Sequence, residues 1–271
     1  MLEELFAKIE DPKPYLERIG IDPKRIIKPD KETLDELIYA HQCSVPFENL
    51  NSWKFKQPVS LYTDALLEKI LGEGRGGYCF ELNGIFNKLL QSLGYVSFCV
   101  YVRVGYNPTD PRPVSHRGIF VNIDEEFYYV DVGFGGPMPA GAVHLVENER
   151  QEFKGEYFWF EKLNQVEWIL WRENNEGKFE ANLVVSTIAR DELDFLSLNL
   201  VMSTGKDSLF TKVPYISIRT KEGHNSIKEG NKLIIEKNSV IEEKILENDD
   251  ELFDALEKYF GIKKILRKKY L

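Results

Sequence analysis

The segment from Arg75 to Asn83, which reads RGGYCFELN, contains the residue types best suited to chemistry. Two glycines can form a tight turn that a β-carbon would obstruct, and this turn delivers Cys79 to the start of a helix. Unpaired backbone N–H groups and the helix dipole favour a negative charge there, such as that of a thiolate. Cysteines in such positions, particularly beside a protonated histidine, can act as nucleophiles at neutral pH. The alternative interpretation is that Gly76 and Gly77 form an ordinary loop and that Cys79 is a small buried apolar residue.

A histidine and an aspartate follow in an order that suits the same chemistry. His116 begins the strand-like run HRGIFVNID, and Asp131 lies near the end of the next run, FYYVDVGFGG, across a short turn at 124–125. If that loop contains two residues, His116 faces Gly133. His116 and Asp131 then share one face of the sheet as diagonal neighbours, roughly 7–8 Å apart at the backbone. A carboxylate in that position could orient the imidazole and hold its proton.

Cys79, His116 and Asp131 together indicate thiol catalysis, because this set and chain order supply a nucleophile, a base and an orienting carboxylate. A three-residue loop would place the histidine and the aspartate on opposite faces and break the scheme. Taken singly, each of the two is typical of a structural role at a strand surface or strand end. We expect structural roles for the other cysteines and histidines, which are Cys43, Cys99, His41, His144 and His224. His144 and His224 lie in loop-like stretches.

The elements that must position these residues begin with a helical region over residues 1–93. Apolar residues recur at helical spacing after Asp30, a candidate N-cap, and again from Cys79. Gly94 can end the second of these helices in a left-handed conformation. This pattern places Cys79 at or next to a helix N-terminus.

From Tyr95 onward the hydrophobic period changes from helical to two, so Val96 to Val104 form a predicted half-buried strand. A turn signal at 174–177 separates two of the later runs. Further strands are predicted at 116–123, 126–132, 157–161, 166–172 and 178–185. This succession predicts an antiparallel sheet or barrel.

The remainder of the chain mixes both patterns. Helices are predicted near 191–202 and over 249–260, where Gly261 closes the second, and strands near 213–219 and 231–236.

The predicted fold class is therefore α+β with several domains. It comprises an N-terminal helical bundle over 1–93 that carries the cysteine, a central antiparallel β-barrel over 94–188 that carries the histidine and the aspartate, and a C-terminal α/β lid over 189–271.

Composition excludes several function classes. The 271 residues are 43% hydrophobic and 29% charged, which is typical of a globular protein, and a net charge of −9 argues against nucleic acid as a partner. No secretory signal and no membrane-spanning run is evident, so we expect a cytoplasmic protein without membrane partners. Three cysteines without a CxxC pair suggest neither a disulfide framework nor a metal site. The acidic run at 242–251 and the basic run at 263–269 are interpreted as solvated faces or tails.

Five blocks of sequence carry a family resemblance: VPFENL at 45–50, RGGYCFELN at 75–83, the strand-opening His116, DVGFG at 131–135 and, more weakly, NLVMSTGKDSLF at 199–210. In this order they resemble the arylamine N-acetyltransferases. Two positions depart from that family's pattern: Lys206 stands where proline is common, and Arg117-Gly118 where apolar residues are more usual.

The resemblance implies a ping-pong transfer of an acetyl group from acetyl-CoA to an arylamine, arylhydrazine or arylhydroxylamine. Cys79 would carry the acetyl group as a thioester, and His116 would pair with the thiolate and later shuttle the amine proton. Asp131 would orient His116. Acetyl-CoA is then a cosubstrate, and no permanently bound cofactor is implied.

The resemblance also implies binding residues. Phe47, Phe134 and Phe210 would surround the acyl-acceptor pocket, where flat apolar walls suit an aryl ring. Core packing is the rival account for each of these phenylalanines. Coenzyme A contacts are implied for the hydroxyls of Thr204 and Ser208 and for the glycine turn at Gly135.

Two other function classes stay open. The same triad would serve an amide synthase, a transglutaminase-like enzyme or a papain-like hydrolase, because acyl chemistry by a thiol is shared among them. The fold could also be retained as a non-enzymatic binding module. The VPFENL and DVGFG blocks favour the acetyltransferase. The sequence does not indicate the natural acceptor, the acyl-chain preference, how the coenzyme A phosphates are held or the oligomeric state.

Overall fold

A computed structural model of the chain describes residues 2–173 and 177–263. Its helical N-terminal region is followed by an eight-stranded antiparallel sheet and then by a four-stranded sheet with further helices. Most of the turn signal at 174–177 and most of the basic run at 263–269 lie outside the described residues.

The helices of the N-terminal region place the candidate nucleophile. Asp30 accepts a hydrogen bond from the Thr33 amide as the N-cap of the helix Lys31–Ser44 (α3), and Gly94 follows the helix Cys79–Ser92 (α5) with a φ of 91°, so both predicted helices are confirmed. α5 is buried on nearly all sides and begins at Cys79. Helices α1 to α5 span Leu2–Phe6, Lys13–Arg18, Lys31–Ser44, Thr63–Leu67 and Cys79–Ser92, and π-helical turns lie at Asn51–Phe55 and Glu68–Gly72.

Strands β1 to β8 form the larger sheet, in the order β4-β3-β2-β1-β8-β7-β6-β5. They span Val96–Val104, Val114–Ile123, Glu126–Val130, Val143–His144, Gln151–Phe153, Glu156–Lys162, Glu167–Glu173 and Phe179–Arg190. The Gln151 side chain on β5 exchanges hydrogen bonds of 2.8 and 3.0 Å with the His144 backbone on β4, so the sheet is nearly closed. The predicted antiparallel sheet is confirmed. β4 and β5 were not predicted, because two or three residues are too few to show a period.

The hairpin of β2 and β3 has the predicted register. Ile119 pairs with Val130 and Ile123 with Glu126, which leaves a two-residue turn. Both turn residues have positive φ, at 52° and 69°, which is the conformation of a type I′ turn whose twist matches that of the strands. His116 and Asp131 therefore share a face of the sheet.

The C-terminal region contains α6 to α8, at Asp194–Thr204, Leu209–Lys212 and Asp249–Phe260, and β9 to β12, at Ile216–Arg219, Gly223–Lys228, Lys232–Lys237 and Val240–Ile245. The second sheet has the order β12-β11-β10-β9. Gly261 ends α8 with a φ of 70°, as predicted.

Some sequence predictions for the two sheets were wrong. His144 and His224 lie in β4 and β10, not in loops. β10 and β12 were missed, because β10 begins with polar residues and every residue of β12 is exposed, so neither strand shows an apolar alternation. The acidic run at 242–251 is largely exposed, which confirms it as a solvated face.

The packing of α5 determines where the site forms. Its apolar residues, among them Leu82, Phe86 and Leu89, are fully buried in a core shared with β1 and β2. A second core lies between the small sheet and α8, and a third fills the inner face of the larger sheet. Because α5 crosses β2, its first residue comes to lie beside the start of that strand.

Within the residues that the structure describes, no helix is both long enough and apolar enough to cross a membrane. The cytoplasmic location expected from the sequence stays a prediction.

Candidate active site

The three residues of the predicted triad come together at the start of α5. His116 Nε2 lies 2.6 Å from Asp131 Oδ2, and both side chains are almost completely buried. Cys79 is the other side chain that raises the pKa of His116, and its sulfur lies 3.8 Å from the Ser115 carbonyl oxygen. Because Asp131 occupies Nε2, Nδ1 is the ring nitrogen available to the thiol. These are the residue types and the proximity that a nucleophile, a base and an orienting carboxylate require.

The charge of His116 is set by its neighbours. Burial alone lowers the pKa of the imidazole, but the charge of Asp131 and the hydrogen bonds to Asp131 and Cys79 outweigh it and raise this pKa to about 10. Burial likewise raises the pKa of Asp131, and the His116 charge and hydrogen bonds reverse that effect and lower it. Both partners are therefore ionised at neutral pH, and the positive charge of His116 lies beside Cys79.

The Asp131 carboxylate receives four hydrogen bonds. Oδ1 accepts from Asn83 Nδ2 at 2.9 Å and from the Gly133 amide at 3.0 Å. Oδ2 accepts from the Tyr129 hydroxyl at 2.8 Å in addition to His116. Sequence reasoning assigned no role to Asn83 or Tyr129, although Asn83 lies one helical turn after Cys79 and so on the same face of α5. The helix that begins at Cys79 thus also binds the Asp131 carboxylate through Asn83.

The glycine pair before Cys79 serves close packing. A β-carbon on Gly76 would lie 1.7 Å from the Pro46 carbonyl oxygen, and one on Gly77 would lie 2.7 Å from a Glu81 carboxylate oxygen. Neither glycine has a positive φ. The turn is hydrogen-bonded to the VPFENL segment, since the Glu48 amide donates to the Gly77 carbonyl at 2.8 Å.

Buried charges fix this turn to the start of α5. Arg75 lies 2.8 Å from Glu48, and Lys69 lies 2.7 Å from Glu81 and 3.5 Å from Glu48. Glu81 also accepts a hydrogen bond from the Tyr78 amide at 3.0 Å, which satisfies one of the free donors of the helix N-terminus. The VPFENL and RGGYCFELN blocks are therefore two halves of one packed unit.

The structure brings the three predicted pocket phenylalanines to this site. The Phe134 ring lies edge-on to the His116 ring at 5.4 Å. The Phe47 and Phe210 rings are 6.0 Å apart, and Phe210 lies 5.5 Å from Tyr78, the residue before the nucleophile. Phe47 is buried, whereas Phe134 and Phe210 are half-buried and present apolar surface.

The residues predicted to contact coenzyme A make hydrogen bonds or packing contacts within the protein. Thr204 Oγ1 donates to the Leu200 carbonyl at 2.7 Å, and Ser208 Oγ donates to the Met202 carbonyl at 2.6 Å. Both hydroxyls are engaged within their own segment. Gly135 has a φ of 73° and lies against the Phe47 ring, where a β-carbon would approach to 2.7 Å.

Two of the residues outside the triad, His41 and Cys99, have structural surroundings. His41 lies 3.0 Å from the Tyr15 hydroxyl, and burial followed by the Arg18 charge lowers its pKa to about 3. Burial raises the pKa of Cys99 to about 11, and its sulfur accepts hydrogen bonds from the buried Arg117.

A cleft of about 580 Å³ opens beside the Gly135 turn, between that turn and strands β9 and β10. Its lining is rich in cationic side chains, with fewer carboxylates. The cations are Lys154, Arg172, Arg219, Lys221 and Lys228, and the carboxylates are Glu156, Glu222 and Glu236. Sequence reasoning missed this cleft because its residues come from separated elements and form no local pattern.

Comparison with known proteins assigns the family. An N-acetyltransferase family model matches residues 30–268, and the chain belongs to that family. The resemblance noted in the sequence is thereby confirmed.

Individual relatives agree with this assignment. Over 145 residues the chain is 37% identical to the arylamine N-acetyltransferase / N-hydroxyarylamine O-acetyltransferase of Salmonella typhimurium, covering 53% of this chain and 50% of that protein. The chain thus spans about half the length of the curated relatives that it matches first.

Solved structures match over a longer stretch. The arylamine N-acetyltransferase of Mycobacterium smegmatis aligns with a TM-score of 0.84 at 26% identity, covering 92% of this chain and 91% of that one. That of Mycobacterium marinum in complex with CoA aligns with a TM-score of 0.85 at 27% identity, covering 95% and 94%.

The raised pKa of His116 predicts how stability depends on pH. The folded protein retains a proton that the unfolded chain loses near pH 6.5, so this contribution is complete below about pH 6.5 and is lost as the pH rises through about 10. At pH 6, His116→Gln should lower the free energy of unfolding by roughly 3 kcal/mol or more, because it leaves Asp131 without its buried partner. The difference in free energy of unfolding between the variant and wild type, measured by urea denaturation, should decrease steadily towards pH 10.

A matched control is Leu89→Ala, which removes a fully buried side chain that does not titrate. Its difference from wild type should stay constant over the same pH range. If the stability difference between His116→Gln and wild type stayed constant or increased with pH, the charge state assigned to His116 would be contradicted.

Proposed function

We propose that the protein transfers an acetyl group from acetyl-CoA to an aromatic amine, hydrazine or hydroxylamine through an acetyl thioester on Cys79. The observation that carries this proposal is the Cys79 thiol at the start of a buried helix, beside a His116 whose Nε2 lies 2.6 Å from Asp131 Oδ2. The names of the matched relatives support the acceptor class, and the CoA complex of the Mycobacterium marinum protein supports the donor.

The first half-reaction acetylates the cysteine. The Cys79 thiolate attacks the thioester carbonyl of acetyl-CoA, and the new sulfur–carbon bond gives a tetrahedral oxyanion. Free backbone N–H groups at the start of α5 are suited to stabilise that charge. The coenzyme A sulfur then leaves with the bonding electron pair and takes the proton from the His116 imidazolium, which leaves acetyl-Cys79 and a neutral imidazole.

The second half-reaction transfers the acetyl group to nitrogen. The amine attacks the acetyl carbonyl, and neutral His116 accepts the proton that the nitrogen loses. The carbon–sulfur bond breaks, the thiolate returns, and Asp131 stabilises the imidazolium that forms beside it. Phe134 and Phe210 would supply apolar walls for the aryl ring and keep the amine unprotonated.

We further propose the three-domain arrangement expected from the sequence, with a helical bundle over 1–93, a barrel over 94–188 and a lid over 189–271. Support comes from paired hydrogen bonds between Phe47 and Ser217 of β9, at 2.8 and 2.9 Å. Phe210 joins the same aromatic cluster from the C-terminal region. A lid in this position would shield the thioester from water.

The cationic cleft is the proposed site for the phosphates of coenzyme A. It borders Gly135, the glycine expected to contact the coenzyme, and its exposed Lys221 and Lys228 supply positive charge. Contacts from Thr204 and Ser208 remain part of the proposal and require these hydroxyls to exchange their present backbone partners for the ligand.

Brief mixing of the protein with acetyl-CoA should add one acetyl group, mapped to Cys79 by mass spectrometry of the intact protein and its peptides. Cys79→Ser should abolish the adduct and lower transfer to an arylamine by more than about 10³-fold, since removal of a nucleophile disables the triad as a unit. Cys99→Ser is the control and should still form the adduct.

Full transfer activity of Cys79→Ser would contradict the mechanism. Peptide cleavage by the wild-type protein without turnover of acetyl-CoA would instead assign the triad to a hydrolase.

Replacing the two exposed cleft lysines with glutamine, as Lys221→Gln and Lys228→Gln together, should raise the KM for acetyl-CoA about three- to tenfold. Each exposed contact to a phosphate contributes up to about 1 kcal/mol. The KM for the amine should not change. Lys24→Gln, at an exposed position outside the cleft, is the control, and an unchanged KM for acetyl-CoA in the double variant would place the phosphates elsewhere.

A further inference from the structure

Tyr129 lies on β3, two residues before Asp131, and is completely buried. Its hydroxyl donates to Asp131 Oδ2 at 2.8 Å, the same oxygen that bonds His116 Nε2 at 2.6 Å. The tyrosine and the imidazole therefore share one oxygen of the carboxylate.

A glycine on the neighbouring strand makes room for this tyrosine. A β-carbon on Gly118 would lie 2.6 Å from Tyr129 Cε2 and 2.8 Å from its hydroxyl oxygen. Gly118 has no positive φ, so its backbone conformation does not require glycine. Aromatic rings on either side hold the tyrosine in place, with Phe120 at 5.7 Å and Phe160 at 6.1 Å between ring centroids. With the ring held by these contacts, its hydroxyl reaches the Asp131 carboxylate.

We propose that Tyr129 is a positioning residue of the triad, which shares the Asp131 carboxylate with His116 and limits how strongly that carboxylate holds the imidazolium proton, and that Gly118 is the residue that admits it. The inference deepens the proposed function and rests on it.

The charge balance gives this contact its effect. His116 on β2 and Tyr129 on β3 are the titratable groups bonded to Asp131, and Cys79 on α5 acts on both of them. Burial, and then the Asp131 charge, raise the pKa of Tyr129 well above its usual value, so the phenol remains a donor at every working pH. When the imidazolium loses its proton, the carboxylate keeps its negative charge in a buried site. The phenol then stabilises that charge, which makes the loss easier.

Tyr129→Phe removes the hydroxyl and keeps the ring. The midpoint of the His116 titration should move to higher pH by roughly half a unit to one unit, because the carboxylate without its phenol donor holds the imidazolium more strongly. NMR of protein labelled with ¹⁵N-histidine measures this midpoint directly, with the signal assigned by its loss in His116→Gln. The acetylation rate, measured in a single turnover with acetyl-CoA, should fall several-fold, because the imidazolium gives its proton less readily to coenzyme A.

Tyr95→Phe is the matched control. Tyr95 is also buried, and its hydroxyl donates to the Asp30 carbonyl at 3.0 Å, away from the triad. It should leave the His116 midpoint unchanged. Gly118→Ala should displace Tyr129 and shift the His116 midpoint in the same direction. In a Tyr129→Leu background, which has no tyrosine to displace, Gly118→Ala should cause little further shift of that midpoint. If Gly118→Ala does not fold, Tyr129→Phe alone decides.

A His116 midpoint that does not move in a folded Tyr129→Phe would overturn the proposal, and so would an equal shift in Tyr95→Phe. The titration uses no substrate. A protein that transferred no acetyl group would therefore still show the shift, and a failure of the proposed function is distinguishable from a failure of this inference.

Discussion

The contact on which the site depends is the 2.6 Å hydrogen bond between His116 and Asp131, both removed from water. Removing one member of such a buried pair costs about 3–5 kcal/mol, because the other charge is left without compensation. The surrounding structure adds three further hydrogen-bond donors to the Asp131 carboxylate and so stabilises its charge. A carboxylate satisfied in this way stays ionised and keeps the imidazole beside Cys79 protonated.

Two independent elements must meet for this to happen. The hairpin of β2 and β3 brings His116 and Asp131 together, and α5 supplies Cys79 from its first turn. Asn83 joins them, since its amide donates to Asp131 and its carbonyl oxygen accepts from the Val132 amide at 2.9 Å. The buried pair of Arg75 and Glu48 then fixes the turn that leads into α5. A local change in either element therefore alters the surroundings of Cys79.

The features that the sequence predicted are those set by local patterns. The start of α5 follows from the glycine pair and the helical apolar spacing, and the hairpin register follows from a two-residue turn between alternating strands. Contacts that depend on packing between distant elements were not predictable in this way. Gly118 is an example, because only the position of the Tyr129 ring shows why a side chain is excluded there. The cationic cleft is another, since its residues belong to elements far apart in the chain.

The most direct test of the central claim is the rate at which iodoacetamide alkylates Cys79 at pH 6 in the wild-type protein and in Asp131→Asn. The neutral amide cannot hold an imidazolium, so the sulfur loses the positive charge that stabilises its thiolate. Alkylation of the variant should be slower by on the order of 10²-fold at pH 6 and should approach the wild-type rate at high pH, where thiols ionise without help. Equal rates at pH 6 in two folded proteins would show that the carboxylate does not control the nucleophile.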